Sequence, residues 1–202
     1  MAGYVDAVGF IALGGFFVSF MSGNSTRLGV GLAAWSPDAA IAAGLILCFV
    51  LGVMLGSGAG RFAGARRPAA ILTLVAALLA AASGLASLGA QAVALALVAA
   101  AMGAKNTIFE RDGEVSIGVT YMTGTLVKFG QRLAAALLRQ GDRLGWLPYL
   151  LLWLGLAGGA FVGAIAYGRL GLQTLWFAAA VELILAAISL RLEWRSAGAE
   201  KR

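Results

Sequence analysis

Four apolar runs, residues 39–58, 69–88, 147–167 and 172–190, constrain this chain more than any other feature. A helix crossing a bilayer needs about 20 apolar residues, because in hydrocarbon every backbone polar group must be satisfied within its own segment. Each run is close to that length. The punctuation also fits: Trp35 and Pro37 precede the first run, Arg66, Arg67 and Pro68 the second, Trp146 and Pro148 the third. A fifth run, 91–106, is slightly shorter and leads into the polar stretch KNTIFERDGE. Only 12% of the 202 residues are charged and 61% are hydrophobic, whereas soluble domains carry roughly 25% charged residues. Too few polar side chains exist to cover a water-facing surface. The fold class expected is an all-α polytopic membrane protein.

The same residues exclude several chemistries. Cys48 is the single cysteine and lies in an apolar run, so it packs as a small hydrophobe. The chain has no histidine and no acidic cluster with metal-ligand spacing, so no metal, no cofactor and no enzymatic activity is expected. The net charge of +6 sits at the ends of apolar segments, where it orients helices rather than binding nucleic acid.

A duplication organises the chain. FVSFMSGNSTRLGVGLAA (17–34) aligns without a gap to GVTYMTGTLVKFGQRLAA (118–135), with seven identical positions. Ser19/Thr120, Phe20/Tyr121, Ser22/Thr123 and Arg27/Lys128 are conservative pairs. Gly52 and Gly56 recur as Gly159 and Gly163, a spacing suited to close helix packing; with one residue inserted, Gly3 and Asp6 recur as Gly103 and Asn106. The expected organisation is one membrane domain of two three-helix repeats, 1–88 and 89–202, each with a re-entrant or broken helix carrying M-[ST]-G-[NT]. The second repeat has an apolar stretch, 88–102, where the first has only Met1 and Ala2. Either the first helix is short and partly interfacial or a dozen or so N-terminal residues are missing, and the second is the reading taken here.

Positive charge sets an expected orientation. Arg61, Arg66 and Arg67, Arg139 with Arg143, and the tail with Arg191, Arg195, Lys201 and Arg202 are placed inside, while the loops at 34–38 and at Gly89 carry no Lys or Arg. Corresponding loops of the repeats then face opposite sides, so the repeats are inverted. The polar motifs meet near mid-membrane, where non-helical backbone is tolerated only beside protein or a water-filled cavity.

Arg27 and Lys128 occupy one repeat position inside apolar segments, where an unpaired charge costs about 2.5–3.5 kcal/mol. With the helix N-termini near Ser22, Asn24, Thr123 and Thr125 they would favour an anionic solute; alternatively they snorkel to opposite interfaces. Glu182, centred in its run, is either a coupling carboxylate or the partner of Lys128 or Lys105. Asp6, Asn106, Ser19, Ser22, Asn24, Thr120, Thr123 and Thr125 either line a path or hydrogen-bond between helices. Residues 110–114 read as a solvated turn.

The motifs Gly3-Tyr4-Val5-Asp6-Ala7, Met21-Ser22-Gly23-Asn24 and Tyr121-Met122-Thr123-Gly124-Thr125 resemble the YoaK-like, UPF0700-type bacterial inner-membrane family, over nearly the whole chain. That resemblance implies a six-helix protein of the cytoplasmic membrane and supplies no activity. The function expected is a small-solute transporter or channel, an anion among the candidate solutes, with its site between the motifs, multi-pass with the C-terminus cytoplasmic. The alternative is a non-transporting scaffold or assembly protein whose polar motifs glue helices together. The bilayer is the expected partner and a homo-oligomer a further candidate, the Gly52, Gly56 and Gly60 face packing either within a protomer or between two.

Overall fold

The computed structural model describes residues 1–108, 110–111, 114–115 and 122–199. Among them are eight α-helices: α1 (Ala2–Ala12), α2 (Met21–Ala33), α3 (Asp38–Ala63), α4 (Arg67–Ser87), α5 (Gln91–Lys105), α6 (Met122–Leu137), α7 (Leu147–Leu170) and α8 (Leu175–Ala199). A two-residue antiparallel pairing of Glu110–Arg111 with Glu114–Val115 is the non-helical exception. Helical stretches Asp38–Ser87 and Leu147–Glu193 are long and apolar enough to cross a membrane. Each is a pair of helices turned by a positive-φ glycine, Gly64 after α3 and Gly171 after α7, a conformation that glycine adopts without the Cβ clash other residues meet.

The bundle is apolar outside as well as inside. Val50, Met54 and Leu55 on α3, Leu151 and Phe161 on α7, and Ile184 on α8 are exposed. In water such a surface would be a large hydrophobic patch; against lipid it is the expected exterior. The core lies where α4, α5 and α8 meet α1, around Val5, Ile71, Leu79, Val98, Met102 and Leu175.

Glycine sets how closely the helices approach. A Cβ on Gly103 of α5 would strike the Phe49 carbonyl of α3 and lie 3.0 Å from the Val53 nitrogen. One on Gly3 of α1 would strike the Leu156 carbonyl of α7 and lie 3.1 Å from the Ala160 nitrogen. Phe49 and Leu156 are separated in sequence by the same offset as Gly52 and Gly159, Val53 and Ala160, and the turn glycines Gly64 and Gly171. Thus α5 crosses α3 as α1 crosses α7, each first helix of one half packing on a long helix of the other. Gly52 and Gly56 face Ala100, Ala104 and Thr107, and Gly60 faces Arg67. Of the two expected uses of these three glycines, packing within the protomer is the one seen.

Candidate functional site

The first motif owes its shape to a chain reversal. α1 ends at Ala12 in a 6→1 closure, Gly15 N–H to Phe10 C=O at 2.8 Å, around Gly14 with φ of 63°, the Schellman geometry that glycine permits. The chain then runs back alongside α1, because the Val18 and Ser19 amides donate to Asp6 Oδ1 at 3.2 and 2.9 Å. The Val18 side chain fills the space that Gly9 leaves open. α2 starts at Met21 and runs outward again, with fully buried Asn24 accepting from Phe17 N–H at 3.0 Å and donating to Phe17 C=O at 2.6 Å. The interruption is therefore residues 13–20. Gly14 and Gly15 fall within it, whereas the polar run from Ser22 to Arg27 is helical, since Ser25 and Thr26 turn their hydroxyls back onto the Met21 and Ser22 carbonyls and need no partner outside the helix.

α2 and α6 begin at one cavity. It has a volume of about 400 Å³ and is lined by Ser19, Phe20, Met21 and Ser22 from the first motif, Met122, Thr123 and Gly124 from the second, and Phe49 of α3. α2 has no side-chain cap at Phe20; the Gly23 amide returns to the Phe20 carbonyl, which leaves the Met21 and Ser22 amides for an acceptor there. The lining combines hydroxyls with aromatic and thioether surface and holds no ionised group.

The remaining predicted residues lie elsewhere. The Arg27 guanidinium sits 4.5 Å from the Phe16 ring centroid and borders a different cavity, of about 430 Å³, with Thr26, Ser36 and Asp38. Lys128 is exposed on α6. Neither cation lines the motif cavity, which corrects the reading of a site built from both. Glu182 is fully buried and pairs with Lys105 Nζ of α5, so the alternative partner Lys128 is excluded; α5 and α8 both pack on α4, whereas α6 packs on α7. Asn106 Nδ2 donates to the Met102 carbonyl at 2.9 Å. Thr125 is half-buried on α6. Thr120 lies outside the described residues.

Sequence reasoning missed Phe49, whose apolar side chain carries no signal of a site. It placed Asp6 among path-lining candidates without its role as an acceptor for the reversed segment. The repetition of Asp6 as Asn106 was the signal available.

Residues 1–188 match the family described as a protein of unknown function, DUF1275. The chain belongs to this family. It is also 35% identical over 205 residues to a UPF0700 transmembrane protein of Rhizobium meliloti, in an alignment covering 97% of this chain and 85% of that relative. No solved structure matches. The UPF0700-type resemblance read from the glycine and methionine motifs thus holds, and with it the membrane character of this DUF1275 chain.

Proposed function

We propose that this protein carries a small solute across the bacterial cytoplasmic membrane, as a transporter or channel of two inverted repeats (1–88 and 89–202), with the C-terminus inside and no enzymatic step. The observation that supports this reading is the shared cavity, to which the first turns of α2 and α6 contribute matching motif residues. The Met21 and Ser22 amides and the Ser22 and Thr123 hydroxyls are donors at this cavity, so the solute presents hydrogen-bond acceptors. Small anions meet that description without a lysine or arginine at the site. The glycine contacts that recur between the halves are consistent with a duplication in which each half packs on the other.

The test is flux in proteoliposomes with chloride, nitrate and formate as anions and urea as a neutral control. Ser22→Ala with Thr123→Val should lower the flux of the transported probe at least about tenfold, since two donors of roughly 1 kcal/mol each are lost. Arg27→Ala and Lys128→Ala should leave it within about twofold, because exposed or surface-reaching cations contribute little locally. If no probe moves, or the double variant moves it as well as wild type, the transport reading fails.

One observation favours the scaffold reading: Asn24, Asn106 and Thr107 direct polar groups to backbone groups of their own half. On that reading Asn24→Ala lowers stability and nothing is transported. The proteoliposome measurement separates the two.

A further inference from the structure

The floor of the motif cavity, from Ser19 to Ser22, hangs between two side chains. Asn24 holds Phe17 from the α2 side through both backbone groups. From the α1 side the holder is Asp6, whose Oδ1 takes the Val18 and Ser19 amides together; Ser19 is the first residue of the cavity lining. Asn24 cannot titrate, and the position of the second half that matches Asp6 holds Asn106. Of these three side chains Asp6 alone can change charge. We propose that Asp6 is the positioning residue of the cavity and that its ionisation sets how firmly the reversed segment is held against α1. The proposal rests on the cavity being the solute site and names how that site is regulated.

The physical step is a change in bond strength. Amide bonds to a carboxylate are charge-assisted and roughly twice as strong as those to a neutral acceptor. Protonation of Asp6 leaves Oδ1 in place but weakens both bonds, so the segment detaches more often and the floor opens. The surroundings leave this response to Asp6 itself. From α7, Leu156, Ala160 and Ala164 line the groove beside it, and none can titrate. From α5 and α8 the buried charges are Lys105 and Glu182, which bind each other. On α1 the Tyr4 hydroxyl is engaged by Thr174. From α2, Arg27 lies over Phe16. Among the described residues Asp6 has no ion pair.

Hydrogen exchange of the protein in lipid nanodiscs reads these amides directly. The peptide covering residues 13–22 is followed from about pH 8.5 to about pH 4.5, a range spanning ordinary and burial-shifted carboxylates, with protection corrected for the intrinsic exchange rate at each pH. Wild type should lose protection at least about tenfold toward low pH, the factor expected when two charge-assisted bonds each lose about half their strength on becoming neutral ones. Asp6→Asn should be low and flat across the range, and Asp6→Glu should regain the slope. Exchange in α3 and α7 from the same data establishes that each variant is folded. A flat wild-type profile, or a slope that persists in Asp6→Asn, overturns the proposal. A separate measurement addresses the cavity: Ser22→Cys in a Cys48→Ser background is treated with a membrane-impermeant methanethiosulfonate. Reaction supports a water-reachable site. Failure to react removes the solute-site reading, and the exchange profile still decides whether Asp6 is the clamp.

Discussion

Lys105 and Glu182 carry the largest single-residue stake in this fold. Both are buried, Glu182 completely, and Glu182 Oε2 has no hydrogen-bond partner among the described residues. Taking one partner away leaves an uncompensated charge in a low-dielectric core, which costs about 3–5 kcal/mol. Lys105→Met and Glu182→Leu should each lower the unfolding midpoint in detergent by an amount of that order. The double variant Lys105→Met/Glu182→Leu should recover most of the loss, because well-packed apolar replacement of a buried pair is often neutral or better. If the double variant is as unstable as the sum of the singles, the pair is not an isolated lock. Asn24 makes a smaller claim. Asn24→Ala orphans both backbone groups of Phe17, at about 1–3 kcal/mol for each group left buried, and a thermal melt should register it. That Asn24 would be consequential was legible from its motif. That it would serve Phe17, seven residues back, was not, because the pairing exists only once residues 13–20 have reversed.

At the level of elements, glycine spacing makes a comparative prediction. Gly3→Ala and Gly103→Ala place a methyl group against equivalent carbonyls on α7 and α3, so each should cost about 1–3 kcal/mol as an overpacked contact and the two should agree within about 1 kcal/mol. Gly44→Ala and Gly58→Ala on α3 meet open space and should be neutral or stabilising by up to about 1 kcal/mol through helix propensity. Arg139, which closes α6 with φ of 57°, adds a test of the opposite sign: Arg139→Gly should stabilise by about 1 kcal/mol, since the left-handed conformation is costly for a side chain and free for glycine. All are readable by unfolding in one detergent. The helices themselves were legible because length and apolarity act locally. The exact interruption was not, since polar residues such as Ser25 and Thr26 are compatible with a helix when they bond their own preceding turn.

For the whole molecule, convergence of the two motifs is the property to test. In a Cys48→Ser background, Ser22→Cys and Thr123→Cys line the same cavity, so a bifunctional methanethiosulfonate with a span of about 10 Å should link them within one chain, since such a span fits across a site of a few hundred Å³. Proteolysis between α3 and α5 followed by gel mobility reads the link. Absence of any intrachain product, with both single cysteines reactive, would mean that the motifs do not share a site.

Sequence alone determined that the chain must live in a membrane, where its long apolar helices run, that residues 17–34 and 118–135 align, and that Met-Ser/Thr-Gly motifs begin helices within apolar surroundings. These follow from local rules: apolar length, charge at segment ends, and identity between aligned stretches. Tertiary structure decided which charges meet. Lys105, not Lys128, neutralises Glu182, and Arg27 rests on Phe16 away from the cavity. Partner choice depends on which helix faces which across the bundle, and no spacing along the chain encodes that. Asp6 depends on both: its repetition as Asn106 is visible in the sequence, but its grip on Val18 and Ser19 requires the chain to turn back on itself first.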